Sequence, residues 1–79
     1  MRAQLRVTKT GTRSFKISVK QGSEFSKKSI KIPKNKEDIK KLVSELTEEF
    51  KSENFAITDK QLYTALQEKS SIFPDIVFE

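Results

Sequence analysis

Apolar residues fall on every second position twice within the first twenty residues. Met1, Ala3, Leu5 and Val7 alternate with Arg2, Gln4, Arg6 and Thr8. Thr10-Gly11-Thr12 breaks the run, and Phe15, Ile17 and Val19 then alternate with Ser14, Lys16, Ser18 and Lys20. Successive side chains of a strand point to opposite faces, so this pattern fits half-buried strands and does not fit a helix. Two such runs around a short Gly-containing loop predict a β-hairpin. Gln21-Gly22-Ser23-Glu24 supplies a second turn, and Ile30 and Ile32, alternating with Ser29 and Lys31, predict a third strand. Phe25 has the wrong parity for the apolar side of that strand, so either the strand starts near Lys27 or a bulge intervenes.

The period then changes. Pro33 ends the sheet and Asn35 is a good helix N-cap. Ile39, Leu42, Val43, Leu46 and Phe50 form one apolar stripe on a helix of about 36–51. A second helix of about 59–69 starts with a capping box, Thr58 with Gln61, and an Ile57–Leu62 staple. Its apolar face is short: Leu62, Ala65 and Leu66. The closing segment Ile72-Phe73-Pro74-Asp75-Ile76-Val77-Phe78-Glu79 is apolar enough to be either a final edge strand or an exposed docking segment. The expected class is α+β: a three-stranded antiparallel sheet packed on one long helix, with a second short helix and an apolar C-terminal segment. Neither the sheet nor the long helix can bury its stripe alone. A β-grasp arrangement, with its opening hairpin and following helix, is the fold-level alternative, and fold analogy assigns no function.

At 79 residues the chain is one small domain, 1–79, with no repeat or linker. It is 34% hydrophobic and 34% charged, a lean core under a charged surface. There is no Cys and no His, which removes disulfides, thiol nucleophiles, histidine bases and conventional zinc sites. No apolar run reaches the roughly 18 residues of a membrane span, so no membrane partner is expected and a cytoplasmic location is. Glu48 and Glu49 are adjacent on the long helix and point about 100° apart, so they cannot converge on one substrate atom. Glu49-Phe50-Lys51 spells the E-x-K of metal-dependent nucleases, but on a helix and ahead of the one Pro-Asp pair, Pro74-Asp75. With only Gly11 and Gly22, no glycine-rich phosphate loop exists. Neither catalysis, a metal nor a cofactor is expected.

The net charge of +5 is unevenly placed. Residues 1–36, the basic sheet half, hold eleven Lys and Arg against the lone Glu24, a charge of +10; residues 37–79, the acidic helical half, carry −5. A half this basic attracts phosphate or an acidic protein, though lysines also keep small β-rich surfaces soluble and guard sheet edges. Alternation places Arg2, Gln4, Arg6, Ser14, Lys16, Ser18, Lys20, Ser29 and Lys31 on the outward face of the sheet, with no acid among them. Lys9, Thr10, Thr12 and Arg13 of the first loop, with Lys27 and Lys28, are expected to flank that face and meet phosphates. Any solvated sheet face carries Lys, Arg, Ser and Thr; the informative excess is the missing Asp and Glu. Phe15 falls on the core side, so the outer face is expected to lack the aromatic platforms of single-strand binders, which favours duplex DNA.

The order hairpin, third strand ending in Lys28-Ser29-Ile30-Lys31-Ile32, then Lys36-Glu37-Asp38-Ile39 opening a helix, resembles the N-terminal arm-type, AP2-like DNA-binding domain of phage and transposon tyrosine recombinases. The resemblance covers about residues 1–52 and lies in element order and charge. It implies a sheet that contacts the DNA groove, with base reading by outer-face residues such as Arg6, Lys16 and Ser18. The chain departs from that family in lacking its frequent strand Trp or Tyr, in its added helix and tail, and in carrying no recombinase catalytic residues.

The expected function is therefore non-catalytic nucleic-acid binding, most of all to duplex DNA, by a phage or mobile-element accessory protein. Structured RNA is a further partner the charge permits. The alternative is a protein-interaction module or phage-type inhibitor that meets an acidic protein surface.

Overall fold

The alternating runs become a sheet because each has one apolar face to bury. A computed structural model describes residues 3–78; Met1, Arg2 and Glu79 lie outside them, and with Arg2 goes one residue assigned above to the outer face. Strands β1 (Gln4–Lys9), β2 (Ser14–Gln21) and β3 (Glu24–Lys31) form an antiparallel sheet in the order β1-β2-β3. Leu5 faces Val19, Val7 faces Ile17, and Phe15 faces Ile30, which sets the apolar register of the inner face. Gly22, at φ 62°, adopts the left-handed conformation that the two-residue β2–β3 turn requires.

Helix α1 (Lys36–Ser52) begins where Asn35 accepts the Glu37 N–H at 2.8 Å, with Glu37 and Asp38 in its first turn and Lys51 in its last. It buries Ile39, Val43, Leu46 and Phe50, and also Thr47, whose hydroxyl donates to the Val43 carbonyl at 2.9 Å. Its end is a Schellman arrangement. Asn54 takes φ 72°, the Phe55 N–H donates to Phe50 O at 3.0 Å, and the Asn54 N–H donates to Lys51 O at 3.0 Å. The Phe50 and Phe55 rings meet edge-on at 6.1 Å, the apolar contact that accompanies such a cap.

Helix α2 (Asp59–Lys69) has the expected capping box: the Gln61 N–H donates to Thr58 Oγ1 at 3.2 Å, and the Thr58 N–H to Gln61 Oε1 at 3.0 Å. It buries Leu62, Tyr63 and Leu66 and packs against both β1 and α1. The inner face of the sheet is thus covered by two helices, α2 beside β1 and the end of α1 beneath β3.

The tail corrects one expectation. Among the described residues no strand follows α2, yet Phe73 is buried, 5.2 Å from the Phe15 ring and 5.7 Å from that of Tyr63. Phe78 stacks at a tilt on Tyr63, 5.2 Å between centroids, and Ile72 and Ile76 are half-buried. The Tyr63 hydroxyl and the Gln67 amide both donate to the Pro74 carbonyl. Proline has no N–H to give a ladder, and its carbonyl is taken by side chains, so the segment completes the core without joining the sheet. Burial first, and the charge of Asp75 second, raise the Tyr63 phenol above its usual 10, which keeps it a protonated donor.

Candidate nucleic-acid interface

Register fixes which outer side chains are neighbours. Gln4, Lys20 and Phe25 form one row across the three strands, Arg6, Ser18 and Lys27 the next, Thr8, Lys16 and Ser29 a third, and Ser14 with Lys31 the last. Among the described residues this face holds Arg6, Lys16, Lys20, Lys27 and Lys31 and no acid. Short Ser18 lies between the longer Arg6 and Lys27, and the residues of the first three rows apart from Ser29 line a trough of about 710 Å³. Ser29 and Lys31 continue the face beyond it. The helices lie on the other side, so none of the described elements covers this surface.

Of the predicted site residues, Gln4, Arg6, Lys16, Ser18, Lys20 and Lys27 come together in the trough, with Lys31 on the same face. Three others are placed elsewhere. Lys9 ends β1 opposite Phe15, on the core-side parity but exposed at the rim. Arg13 is a structural tie: its Nε donates to Ile32 O at 3.0 Å and a terminal guanidinium nitrogen donates to Pro33 O at 2.6 Å, fastening the first loop to the β3–α1 connection.

Lys28 is a correction. It faces Ile17 on the inner side of the sheet, where its ammonium lies 3.1 Å from Glu53, 3.8 Å from Glu49 and 5.4 Å from the Phe50 ring centroid. Adjacent strand residues cannot share a face, so with Lys27 outward Lys28 must turn inward. It belongs to the joint between β3 and α1. Ser26 donates to Glu53 at 2.7 Å in the same joint, and Gln21 bridges β2 to the loop after α1, donating to Asn54 O at 3.2 Å and accepting from the Ala56 N–H at 2.9 Å.

These contacts hold the Glu53 carboxyl below its ordinary value of 4.5, through the Ser26 hydroxyl first and the Lys28 ammonium second. A carboxyl lowered in the folded state stabilises that state above its unfolded pKa, and the contribution fades as pH falls through the folded value. The stability difference between the wild type and Glu53→Gln is therefore expected to shrink as pH drops from neutrality to below about 4.5. Urea unfolding of both proteins across that range measures it; a difference independent of pH would exclude a charged Glu53 from the joint.

Phe25 is the residue sequence reasoning misplaced. The β2–β3 ladder runs unbroken from Ser14–Lys31 to Gln21–Glu24, so there is neither a bulge nor a late start. Phe25 stands on the outer face, 59% exposed, with the Lys27 ammonium 5.7 Å from its ring centroid. The expectation of an outer face without an aromatic is overturned. The signal was the parity itself: two positions before Lys27, Phe25 shares its face, and a regular strand puts its ring in solvent with no bulge.

No group of three or more His, Cys, Asp or Glu residues able to hold a metal ion occurs among the described residues, and no described helix is long and apolar enough to cross a membrane. Comparison with protein-family models, with curated proteins and with solved structures gives no match.

Proposed function

We propose that this domain binds nucleic acid without catalysis, and that its ligand is duplex DNA held on the outer face of the sheet. The observation that carries the reading is the cluster Arg6, Lys16, Lys20, Lys27 and Lys31, spread over three strands with no acid between them. Three strands spaced about 4.8 Å apart span roughly 10 Å, which suits a major groove about 12 Å wide. All the acids but Glu24 belong to residues 37–79, so the domain is electrostatically two-sided and would approach a polyanion sheet first. One phenylalanine at one end of the face is not the series of stacking platforms that single strands use, so the overturned expectation about aromatics leaves the duplex preferred. Resemblance to arm-type recombinase domains points the same way, toward a phage or mobile-element accessory protein of the cytoplasm. Phe73 anchors the apolar tail to the core, which favours a packing role for that segment over the docking of a protein partner.

Titrating a short random duplex while following backbone amide shifts tests this. If the five cations each neutralise a phosphate, a fourfold rise in salt should weaken binding about five hundredfold, with shifts confined to β1, β2 and β3. No binding at low salt, or binding indifferent to salt, would end the reading.

A further inference from the structure

Among the described residues, Phe25 is the one large apolar side chain on a face otherwise built of cations, hydroxyls and an amide. The fold does not need it there: it is 59% exposed, it contributes nothing to the core, and the polar residues around it would keep the hairpin soluble without it. It stands beside the β2–β3 turn at the open end of the trough, in one row with Gln4 and Lys20. The Lys27 ammonium lies over its ring at 5.7 Å, so a cation already attends the ring, and flat stacking of an unpaired base on that side would displace it. A small apolar group approaching the free part of the ring meets no such conflict.

Only one base offers an apolar group in the major groove, thymine, through its C5-methyl; phenylalanine is among the side chains that contact it. Gln4, across β2 in the same row, carries the amide that pairs with adenine N6 and N7. We propose, resting on the duplex reading above, that Phe25 is a specificity residue that packs on a thymine methyl, so that this end of the face selects A·T base pairs. The methyl is otherwise hydrated in the groove, and the ring is otherwise hydrated on the sheet; contact removes water from both. Arg6, in the next row, and Lys16, in the row beyond it, add charge that holds the duplex against this face.

The test compares an alternating A·T duplex with its uracil counterpart, which differs by the methyl alone, against wild type and Phe25→Ala. Burying one methyl corresponds to about fourfold in affinity, so wild type should bind the thymine duplex about fourfold more tightly, while Phe25→Ala should bind the two alike. Phe25 is exposed, and an unchanged melting temperature confirms that the variant folds. Equal affinity of wild type for both duplexes, with binding intact, overturns the proposal and leaves the duplex reading standing. Failure of wild type to bind any duplex overturns the duplex reading itself. Tighter binding of a single strand, lost in Phe25→Ala, overturns the proposal in favour of base stacking.

Discussion

Replacing Arg6 and Lys16 together with alanine is expected to weaken duplex binding about a hundredfold and to leave the thermal transition where it is. Arg6 on β1 and Lys16 on β2 lie in adjoining rows of the trough, and among the described residues neither makes an ion pair. Each contact to a base or a phosphate is worth roughly 1–3 kcal/mol, and about 2.7 kcal/mol in all is a hundredfold. The salt slope should fall by about 1.8, two phosphates' worth. Folding should not suffer, because both side chains stand on the solvated face, and removing two cations from a like-charged cluster relieves repulsion. Anisotropy titrations at several salt concentrations, alongside a melting curve, give the answer. Unchanged affinity in a folded double variant would sink the proposed interface.

The second large effect concerns the tail. Removing residues 72–79 should leave the chain unfolded at room temperature. Phe73 packs against both Phe15 and Tyr63, and cutting a buried phenylalanine to alanine costs about 3–5 kcal/mol. A domain of this size has a total stability of about 4–12 kcal/mol. Truncation also strips away Ile76 and Phe78 and removes the acceptor of the Tyr63 hydroxyl, a bond worth about 1 kcal/mol net. Phe73→Ala, the milder change, should remain folded but melt much earlier. Circular dichroism and amide dispersion distinguish the cases, and a truncated chain with native dispersion would show the tail to be dispensable to the core.

Most of the architecture was legible because period 2 and period 3.6 separate cleanly along this chain. Three strands, two helices, the Asn35 cap and the Thr58–Gln61 box all follow from residue types at fixed spacing. The misreadings share a physical origin. Parity set by Ile30 and Ile32 was not carried back to Lys28, which was left facing solvent, and at Phe25, where it was noticed, a late start or a bulge was invoked in place of an exposed ring. Alternation places both once the strand is regular; what lies beyond local sequence is the partner, since Glu49 and Glu53 reach from α1 to meet the inward Lys28. Arg13 is similar, since nothing in its local sequence announces that carbonyls twenty residues away will take its guanidinium. The tail's fate rested on Tyr63 and Gln67 capturing one carbonyl, a contact invisible to periodicity. The outer face was the most readable part of the candidate site, because alternation alone decides it.

That both helices lie on one side of the sheet has a further consequence for how such a domain can change. On β1 and β2 odd-numbered positions such as Val7, Phe15, Ile17 and Val19 hold the fold and even-numbered ones such as Gln4, Arg6, Lys16 and Ser18 meet the solvent, while on β3 the parity is reversed, with Ile30 inward and Phe25 and Lys27 outward. The two sets are interleaved in sequence but do not compete for the same contacts. A lineage could therefore exchange its recognition surface residue by residue, acquiring new ligands, while the scaffold beneath keeps the same melting point. The same partition makes the three strands a natural template for a combinatorial library, randomised at every second codon.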